Sequence, residues 1–336
     1  MDAYPYPMIQ PPPFHWDRSA SGDEPSVHQW IQTLDPGQRP TVHGDDWDVT
    51  LLGVPLSRSS ISASAASENP DAIRRAWRSF IPYHLEEGVD LTPLRVLDLG
   101  NVRQHVTDIA QCHQNIRQAV AAMRRHHPQT FPLLLGGDHS VTAMAMKGWK
   151  EAHPEHRLGI LQLDTHFDLR PLEEHGPSNG TPIRNLIESG TLRGEDVVNI
   201  GLHGFFNARS LREYADKTNV RWITLKQARR EGVEAVVRRE LEALAQRVDA
   251  IHFTLDMDVL DVAYAPGVPA STPGGMRTDE LFDACLIAGR HTKVTSMDLV
   301  CLDPYRDVAG ATVKAGVHAM LSFLTGYVQW KGLSPS

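Results

Sequence analysis

Eight short apolar runs, separated by segments of helical periodicity, are the feature that most restricts the fold of this chain. Several runs are almost continuously hydrophobic, as strands are when helices cover a parallel sheet on both faces. Their alternation with helical segments predicts one large α/β domain. The predicted strands are VTLLGV (49–54), RVLDLG (95–100), FPLLLGG (131–137), LGILQLD (158–164), VVNIGL (197–202), VRWITL (220–225), AIHFTLDMD (250–258) and VTSMDLV (294–300).

Apolar residues recur at helical spacing between these runs, most clearly in 109–123 and 233–248. Thr278, followed by two acidic residues and an apolar run, predicts the start of a further helix. An α/β/α sandwich and a (β/α)8 barrel share this local pattern, so the pattern alone leaves both open.

Residues 1–45 have a different texture from the rest of the chain, being polar and rich in proline. The prolines at positions 5, 7, 11, 12 and 13 are expected to prevent regular structure there. We therefore predict an N-terminal arm on the surface. No internal repeat or linker divides the remainder of the chain, so the predicted domain is 46–336.

Composition restricts the partners and the compartment. Lys and Arg number 33 against 41 Asp and Glu, a net charge of −8, which argues against nucleic acid. No apolar run approaches the roughly 20 residues that span a bilayer, and the N-terminus lacks the pattern of a signal peptide, so no membrane partner is expected. Three widely spaced cysteines suit neither a disulfide framework nor a CxxC zinc site, which favours the cytoplasm.

Acidic and histidine residues stand at the ends of three predicted strands. In an open parallel sheet, ligands bind outside the carboxyl ends of the strands, so these side chains can converge on one place. They are Asp138 and His139 after the third run, Asp164, His166 and Asp168 at the end of the fourth, and Asp256 and Asp258 at the end of the seventh.

The last four of these carboxylates and the two imidazoles, gathered in one crevice, would be very costly without a cation. Two divalent cations with bridging carboxylates would neutralise them, and oxygen-rich ligation with some nitrogen suits Mn²⁺. Two such ions can share a water and lower its pKa toward neutrality, which supplies a hydroxide nucleophile. The pattern therefore indicates metal-assisted hydrolysis of a C–N bond at a planar carbon.

These residues resemble the motifs of the ureohydrolase superfamily, which includes arginase, agmatinase and formimidoylglutamase. The motifs are GGDHS (136–140), DTHFD (164–168) and DMDVLD (256–261), the last continuing into APGVPASTPGGM (265–276). The resemblance implies a three-layer α/β/α fold with a mostly parallel eight-stranded sheet and two Mn²⁺ ions per chain. It implies one ion held by His139, Asp164, Asp168 and Asp256, and the other by Asp164, His166, Asp256 and Asp258.

Within the superfamily, the chain is most similar to bacterial formimidoylglutamase. The similar segments are PLSRSSISASAAS (55–67), LGNVRQHVTDI (99–109), EEHGPSNGTPIRNLIESG (173–190) and GFFNARSLREYA (204–215). Arginases and agmatinases have a His in the loop after the DxHxD motif, where this chain has Asn179. The resemblance makes Asn179 a candidate for substrate binding and, with Asp168, for catalysis, and Arg184 a candidate anchor for a substrate carboxylate.

Two positions depart from this branch of the superfamily. His203 stands where an Arg is usual. It becomes a candidate substrate contact, and recognition of the substrate would then differ from that in the rest of the branch. Cys301 stands where the family has a Glu that faces the amidine or guanidine, which makes it a candidate catalytic residue. A thiol cannot replace that carboxylate, because its pKa is near 8.5 and its S–H is a weak donor. Asp298 is expected to point to the opposite face of the strand.

The resulting hypothesis is a manganese hydrolase that cleaves N-formimidoyl-L-glutamate to L-glutamate and formamide. Cys301 and His203 favour an alternative, a divergent enzyme of the same fold acting on another guanidine, amidine or amide. A non-catalytic metal-binding homologue is a third possibility, against which the six ligand-type residues argue. The resemblance also implies a homo-oligomer, a trimer or a hexamer, acting on a small molecule.

Overall fold

The computed structural model describes residues 8–11, 25–34 and 47–333, which contain twelve strands and eleven α-helices besides short 3-10 helices. The strands are β1 (Ile9–Gln10), β2 (Gln32–Thr33), β3 (Val49–Gly53), β4 (Tyr83–His84), β5 (Val89–Asp90), β6 (Val96–Val102), β7 (Phe131–Leu135), β8 (Leu158–Leu163), β9 (Val197–Leu202), β10 (Arg221–Thr224), β11 (Ala250–Asp256) and β12 (Val294–Val300). The helices are α1 (Val27–Trp30), α2 (Asn69–Ala76), α3 (Ile109–His126), α4 (Ser140–Ala152), α5 (Leu172–His175), α6 (Pro182–Glu188), α7 (Arg209–Lys217), α8 (Leu225–Glu231), α9 (Val233–Ala245), α10 (Thr278–Gly289) and α11 (Ala311–Lys331).

All eight predicted strands are confirmed, as β3 and β6 to β12. They form one parallel sheet in the order β6-β3-β7-β12-β11-β8-β9-β10. Within the described residues β10 pairs with β9 alone, so the sheet is open and the barrel alternative is excluded.

Helices on both faces explain why the strands are so apolar. Every residue of β3, β6, β7, β8, β9 and β11 is buried. One group of packed helices comprises α2 and α8 to α11, and another comprises α3, α4 and α6. The arrangement is the three-layer α/β/α fold that the resemblance implied.

An aromatic cluster ties the centre of the sheet to the longest helix. The ring of Phe131 on β7 lies 5.0 Å from that of Phe323 on α11 and 5.2 Å from that of Tyr327. Phe323 also stacks on Phe253 of β11 at 6.0 Å. These large buried rings hold β7 and β11, two strands that carry site residues, against one rigid helix.

The predicted helices are confirmed with small changes of boundary. The helix predicted at 109–123 is α3, which continues to His126. The helix predicted at 233–248 is α9, which ends earlier, at Ala245. α10 begins at Thr278 as predicted. Among the described residues, no helix has the length and the apolar character needed to cross a membrane.

The expectation that residues 1–45 lack regular structure is wrong where the structure describes them. β1 pairs antiparallel with β6, and β2 pairs parallel with it, so both cover the edge strand of the sheet. Ile9 and Ile31 are buried, and the Trp30 indole donates to the Leu94 carbonyl at 2.9 Å. Apolar side chains and an unpaired sheet edge therefore allow regular structure in these segments. Of the five prolines named above, only Pro11 is among the described residues. The boundary at residues 45 and 46 stays a prediction.

Candidate metal centre

Strand order brings together motifs that are far apart in the sequence. β7, β12, β11 and β8 are consecutive neighbours at the centre of the sheet. Because these strands are parallel, their carboxyl ends meet at one edge. His139, Cys301, Asp256 and Asp164 lie at or just beyond those four ends.

One group of predicted ligands surrounds His139. Its Nδ1 lies 2.7 Å from Asp168 Oδ2, 3.0 Å from Asp256 Oδ2 and 3.2 Å from Asp164 Oδ2. All four residues are buried. This is the set that the resemblance assigns to one metal ion.

A second group surrounds His166. Its Nδ1 lies 2.9 Å from Asp258 Oδ2 and 3.5 Å from Asp164 Oδ1. Asp164 therefore presents one oxygen to each imidazole and joins the two groups. Asp256 lies beside the second group through its Oδ1, which accepts from the Asp258 N–H at 2.9 Å. The six predicted ligands, His139, Asp164, His166, Asp168, Asp256 and Asp258, thus form one continuous cluster, called here the six-residue cluster.

Two backbone features shape this cluster. Asp168 has a φ of 56°, a left-handed conformation that turns the chain after β8. A Cβ on Gly137 would lie 1.8 Å from the Leu56 carbonyl oxygen, so the GGDHS loop can pass there only with glycine.

His139 provides a test of whether the cluster suits a cation. Its Nε2 is hydrogen-bonded to Thr254 Oγ1 at 2.9 Å, which leaves Nδ1 facing the three carboxylates. Nδ1 is buried and makes no contact of hydrogen-bond geometry in the described structure. An imidazole nitrogen that faces carboxylates while the other nitrogen is held from behind is the arrangement of a metal ligand. The cluster therefore fits a divalent cation.

Charge in the cluster shifts the pKa values of its members strongly. Burial lowers the pKa of His166, but Asp258 and Asp164 outweigh burial and raise it to about 12. Burial and the charges of neighbouring carboxylates raise the pKa of Asp168 and of Asp258. Without a cation, the protein would hold protons here instead, so metal binding must displace them.

A cavity opens beside the cluster and contains further polar groups. Among the described residues, Arg170 is the one Lys or Arg of its wall, which also includes Asn179 and Cys301. The wall comprises Ser60, Ile61, Ser62, Ser64, Asp138, His166, Asp168, Arg170, Asn179, Gly180, Phe206, Asn207, Leu211, Asp256, Asp258, Pro269, Ala270 and Cys301.

Comparison with known proteins agrees with this geometry. The model of the arginase family matches residues 47–326. The chain belongs to the arginase family. The formimidoylglutamase of Halalkalibacterium halodurans is 40% identical over 276 residues, which cover 82% of this chain and 86% of the relative.

Solved structures give the same result for this arginase-family chain. Bacillus subtilis formimidoylglutamase superposes with a TM-score of 0.86 at 34% identity and covers 96% of this chain and 98% of its own. Trypanosoma cruzi formiminoglutamase with Mn2+2 has a TM-score of 0.80 at 23% identity, covering 91% of this chain and 99% of its own. The latter likeness concerns the fold alone.

Two predicted substrate contacts of the arginase-family chain do not line the cavity. The Arg184 guanidinium donates to Glu188 at 2.6 Å and lies 4.2 Å from the centre of the Tyr214 ring. The His203 ring contacts the Gly201 carbonyl at 3.0 Å and the Thr272 hydroxyl at 3.1 Å. Both side chains are engaged in local structure, so neither is placed to bind a ligand in this cavity.

The other three predicted residues line the cavity. Asn179 Oδ1 accepts from the Ile61 backbone N–H at 2.8 Å, and the Asn179 backbone N–H donates to the Ser59 carbonyl at 3.1 Å. Asn179 therefore holds the loop around Ile61 that forms one wall of the cavity. Cys301 and Asp168 reach the cavity directly. Asp298 is absent from its wall and instead accepts from the Thr142 hydroxyl at 2.7 Å.

The six-residue cluster is also held by residues that the sequence analysis missed. Gln162 Nε2 donates to Asp164 Oδ2 at 2.6 Å and to Asp168 Oδ2 at 3.2 Å, and Thr254 orients His139. Each stands two residues before a strand-end Asp, so the period of two along a strand could have identified both. Asn207 bonds the backbone of 165–167 and Arg170 faces the cavity; neither has a comparable local signal.

Proposed function

We propose that this chain is a manganese-dependent hydrolase that cleaves N-formimidoyl-L-glutamate to L-glutamate and formamide. The observation that carries the proposal is one cavity that joins the six-residue cluster to the guanidinium of Arg170. The similarity to proteins named formimidoylglutamase supports it. The substrate has an amidine to be hydrolysed and glutamate carboxylates to be bound, and the two parts of the cavity suit these groups.

The six-residue cluster would hold the two Mn²⁺ ions, with Asp164 contributing an oxygen to each group. When bound, the ions supply Lewis acidity and lower the pKa of water, which makes hydroxide available for attack on the amidine carbon. Thr254 and Gln162 keep His139 and the carboxylates oriented, which preserves the geometry between turnovers.

Arg170 is the group that we assign to the substrate carboxylate. Its guanidinium is half-buried at the cavity wall, and no carboxylate of the described residues lies within ion-pair distance of it. Its backbone N–H donates to the Gly180 carbonyl at 3.0 Å, which joins it to the loop that carries Asn179. An available guanidinium binds a carboxylate in bidentate geometry, so it favours an acidic substrate over agmatine.

Asp138 is the group that we assign to the cationic amidine. It lines the same cavity as Cys301 and belongs to neither ligand group. Its Oδ2 accepts from Ser59 at 2.9 Å and its Oδ1 from the Ser140 N–H at 3.0 Å. Each carboxylate oxygen can accept a further hydrogen bond, so Asp138 can supply part of the charge that Cys301 lacks.

A second candidate function is favoured by one observation, the thiol of Cys301 in the cavity wall. A Cys in place of the family's Glu removes the charge partner of a cationic amidine. It removes no such interaction from a neutral amide. The alternative is therefore a hydrolase of the same fold whose substrate is another amide, amidine or guanidine.

A hydrolysis screen of the manganese-loaded protein separates these functions. The panel comprises N-formimidoyl-L-glutamate, agmatine, arginine, guanidinobutyrate and simple amides. We expect the highest kcat/KM for formimidoylglutamate and about two manganese ions per chain by elemental analysis. Preference for a neutral amide would instead establish the second function. A metal content near zero would show that the ligand assignment is wrong.

We also propose that the protein is a cytoplasmic homo-oligomer, a trimer or a hexamer. The three cysteines are unpaired and buried, which suits a reducing compartment. The oligomeric state rests on the family resemblance. Light scattering on the purified protein measures the molar mass of the assembly in solution. A mass equal to that of one chain would contradict the proposal.

A further inference from the structure

The thiol of Cys301 lies against the ligand group of His139. β12 is placed between β7 and β11, so the residue directly after β12 comes between His139 and Asp256. The ligand-type atoms of these three residues all lie within 4.8 Å of one another. Cys301 is 8% exposed and lines the cavity, so its sulfur is both enclosed and accessible to a small ion.

The position of Cys301 is held by the backbone. Its φ is 70°, in the left-handed region that residues with a Cβ rarely adopt. Its N–H donates to the Gly137 carbonyl at 2.8 Å, in the same loop that leads to His139. The two loops therefore keep the thiol and the imidazole at a constant separation.

A second observation points to an ion at this place. His139 Nδ1 is buried and has three carboxylate oxygens within 3.2 Å, yet it makes no contact of hydrogen-bond geometry in the described structure, while its other nitrogen is engaged by Thr254. An imidazole nitrogen, a carboxylate oxygen and a thiol sulfur within mutual reach form a ligand set typical of zinc and cobalt.

We propose that Cys301 is an additional ligand, through sulfur, to thiophilic divalent ions held by His139 and Asp256. This rests on the proposed metal centre and defines its selectivity. On binding of Co²⁺ or Zn²⁺ the S–H bond breaks, the sulfur lone pair forms the bond to the ion, and the proton leaves to solvent. Mn²⁺ prefers oxygen donors, so with Mn²⁺ the thiol stays protonated and contributes little. One cavity therefore distinguishes two classes of metal.

The test uses the full-length protein, stripped of metal with a chelator and reloaded with Co²⁺. We expect weak visible d–d bands from cobalt in the cluster and an intense near-ultraviolet sulfur-to-cobalt charge-transfer band. Cys301→Ser should abolish the charge-transfer band and keep the d–d bands. The other two cysteines are the matched controls: Cys112→Ser and Cys285→Ser, both buried and outside the cavity wall, should retain both sets of bands.

The outcomes separate failure of the ligand from failure of the centre. Visible d–d bands without a charge-transfer band in the wild type would overturn ligation by Cys301 and leave the metal centre intact. Absence of both sets would overturn the centre and the ligation together. As a second measurement, competition titration should show that Cys301→Ser lowers the ratio of Zn²⁺ affinity to Mn²⁺ affinity by about tenfold or more; an unchanged ratio contradicts the proposal.

Discussion

At the scale of single residues, surroundings decide what an arginine of this protein can do. Arg184 is committed to Glu188 and to the face of Tyr214, whereas Arg170 faces the cavity with its guanidinium available. A charged group that already has a partner gains little from a second one. The same residue type therefore has a structural role at one position and a proposed binding role at the other.

Replacing Arg170 should impair binding of acidic substrates. We expect Arg170→Leu to lower kcat/KM for formimidoylglutamate by about tenfold or more, because a charged hydrogen bond contributes about 1.5–3 kcal/mol. Agmatine, which has no carboxylate, should be affected much less. Steady-state kinetics on both substrates measures this, with Arg184→Leu as the matched control. Equal losses for the two arginine variants would contradict the assignment.

Restoring a carboxylate at Cys301 should favour cationic substrates. The oxygens of Asp138 each already accept a hydrogen bond, so its charge is partly used within the protein. We expect Cys301→Glu to raise kcat/KM for amidines or guanidines by about tenfold or more. Cys301→Gln is the control, because Gln has the size of Glu without its charge, and it should give no such gain in kcat/KM. An unchanged kcat/KM in the Cys301→Glu variant would mean that the amidine does not reach this part of the wall.

At the scale of elements, close helix packing depends on particular glycines. α10 and α11 approach each other at Gly289 and Gly326, where a Cβ on Gly326 would lie 2.1 Å from the Leu286 carbonyl oxygen. A backbone oxygen cannot rotate away as a side chain can. Both helices must therefore separate to accept any larger residue there.

A pair of alanine substitutions in α11 tests this contact. Gly326→Ala should lower the free energy of unfolding by about 1–3 kcal/mol, since overpacking outweighs the gain in helix propensity of about 1 kcal/mol. Gly316→Ala is the control, because the nearest neighbours of its Cβ would be the flexible ends of side chains, Ile73 at 3.0 Å, Leu302 at 3.1 Å and Leu299 at 3.6 Å. Urea unfolding of the manganese-loaded proteins gives both values. A Gly326 variant as stable as the Gly316 variant would show that the helices can shift.

At the scale of the whole molecule, the six-residue cluster couples folding to metal and to pH. Burial and neighbouring carboxylates raise the pKa of Asp168 and Asp258 in the folded protein. The metal-free folded state therefore holds protons that the unfolded chain releases above about pH 4. Its stability falls as the pH rises toward the raised folded pKa values. His166, with its pKa raised to about 12, acts in the same direction above about pH 6.5.

Manganese should therefore stabilise the protein more at pH 8 than at pH 5. Protons compete with the ion at low pH, and at 100 times its Kd a ligand adds about 2.7 kcal/mol. Calorimetry of the chelated and manganese-saturated protein at both pH values measures the difference in Tm. Taking the difference in Tm removes the effect of groups outside the cluster such as His127, whose pKa burial lowers to about 4. A manganese effect on Tm that is no larger at pH 8 would contradict this linkage.

The sequence by itself determined the strands of the parallel sheet and the residue types of the six-residue cluster. All eight strands of the parallel sheet, the starts of α3, α9 and α10, and the six residues of the cluster could be predicted, because hydrophobic periodicity and strand-end motifs are local properties. Parallel strands end at one edge, so convergence of the motifs could also be inferred from the pattern.

Only the tertiary structure decided which side chains face the cavity. The order β7-β12-β11-β8 depends on packing between segments far apart in the chain, and it brings Cys301 between His139 and Asp256. Arg184 and His203 were predicted as substrate contacts from the family resemblance, but the Tyr214 ring of α7 lies against Arg184 and the Thr272 hydroxyl contacts His203. Arg170 instead faces the cavity, with no carboxylate of the described residues beside it. Whether a charge is satisfied depends on its neighbours in space, and sequence separation does not report those neighbours.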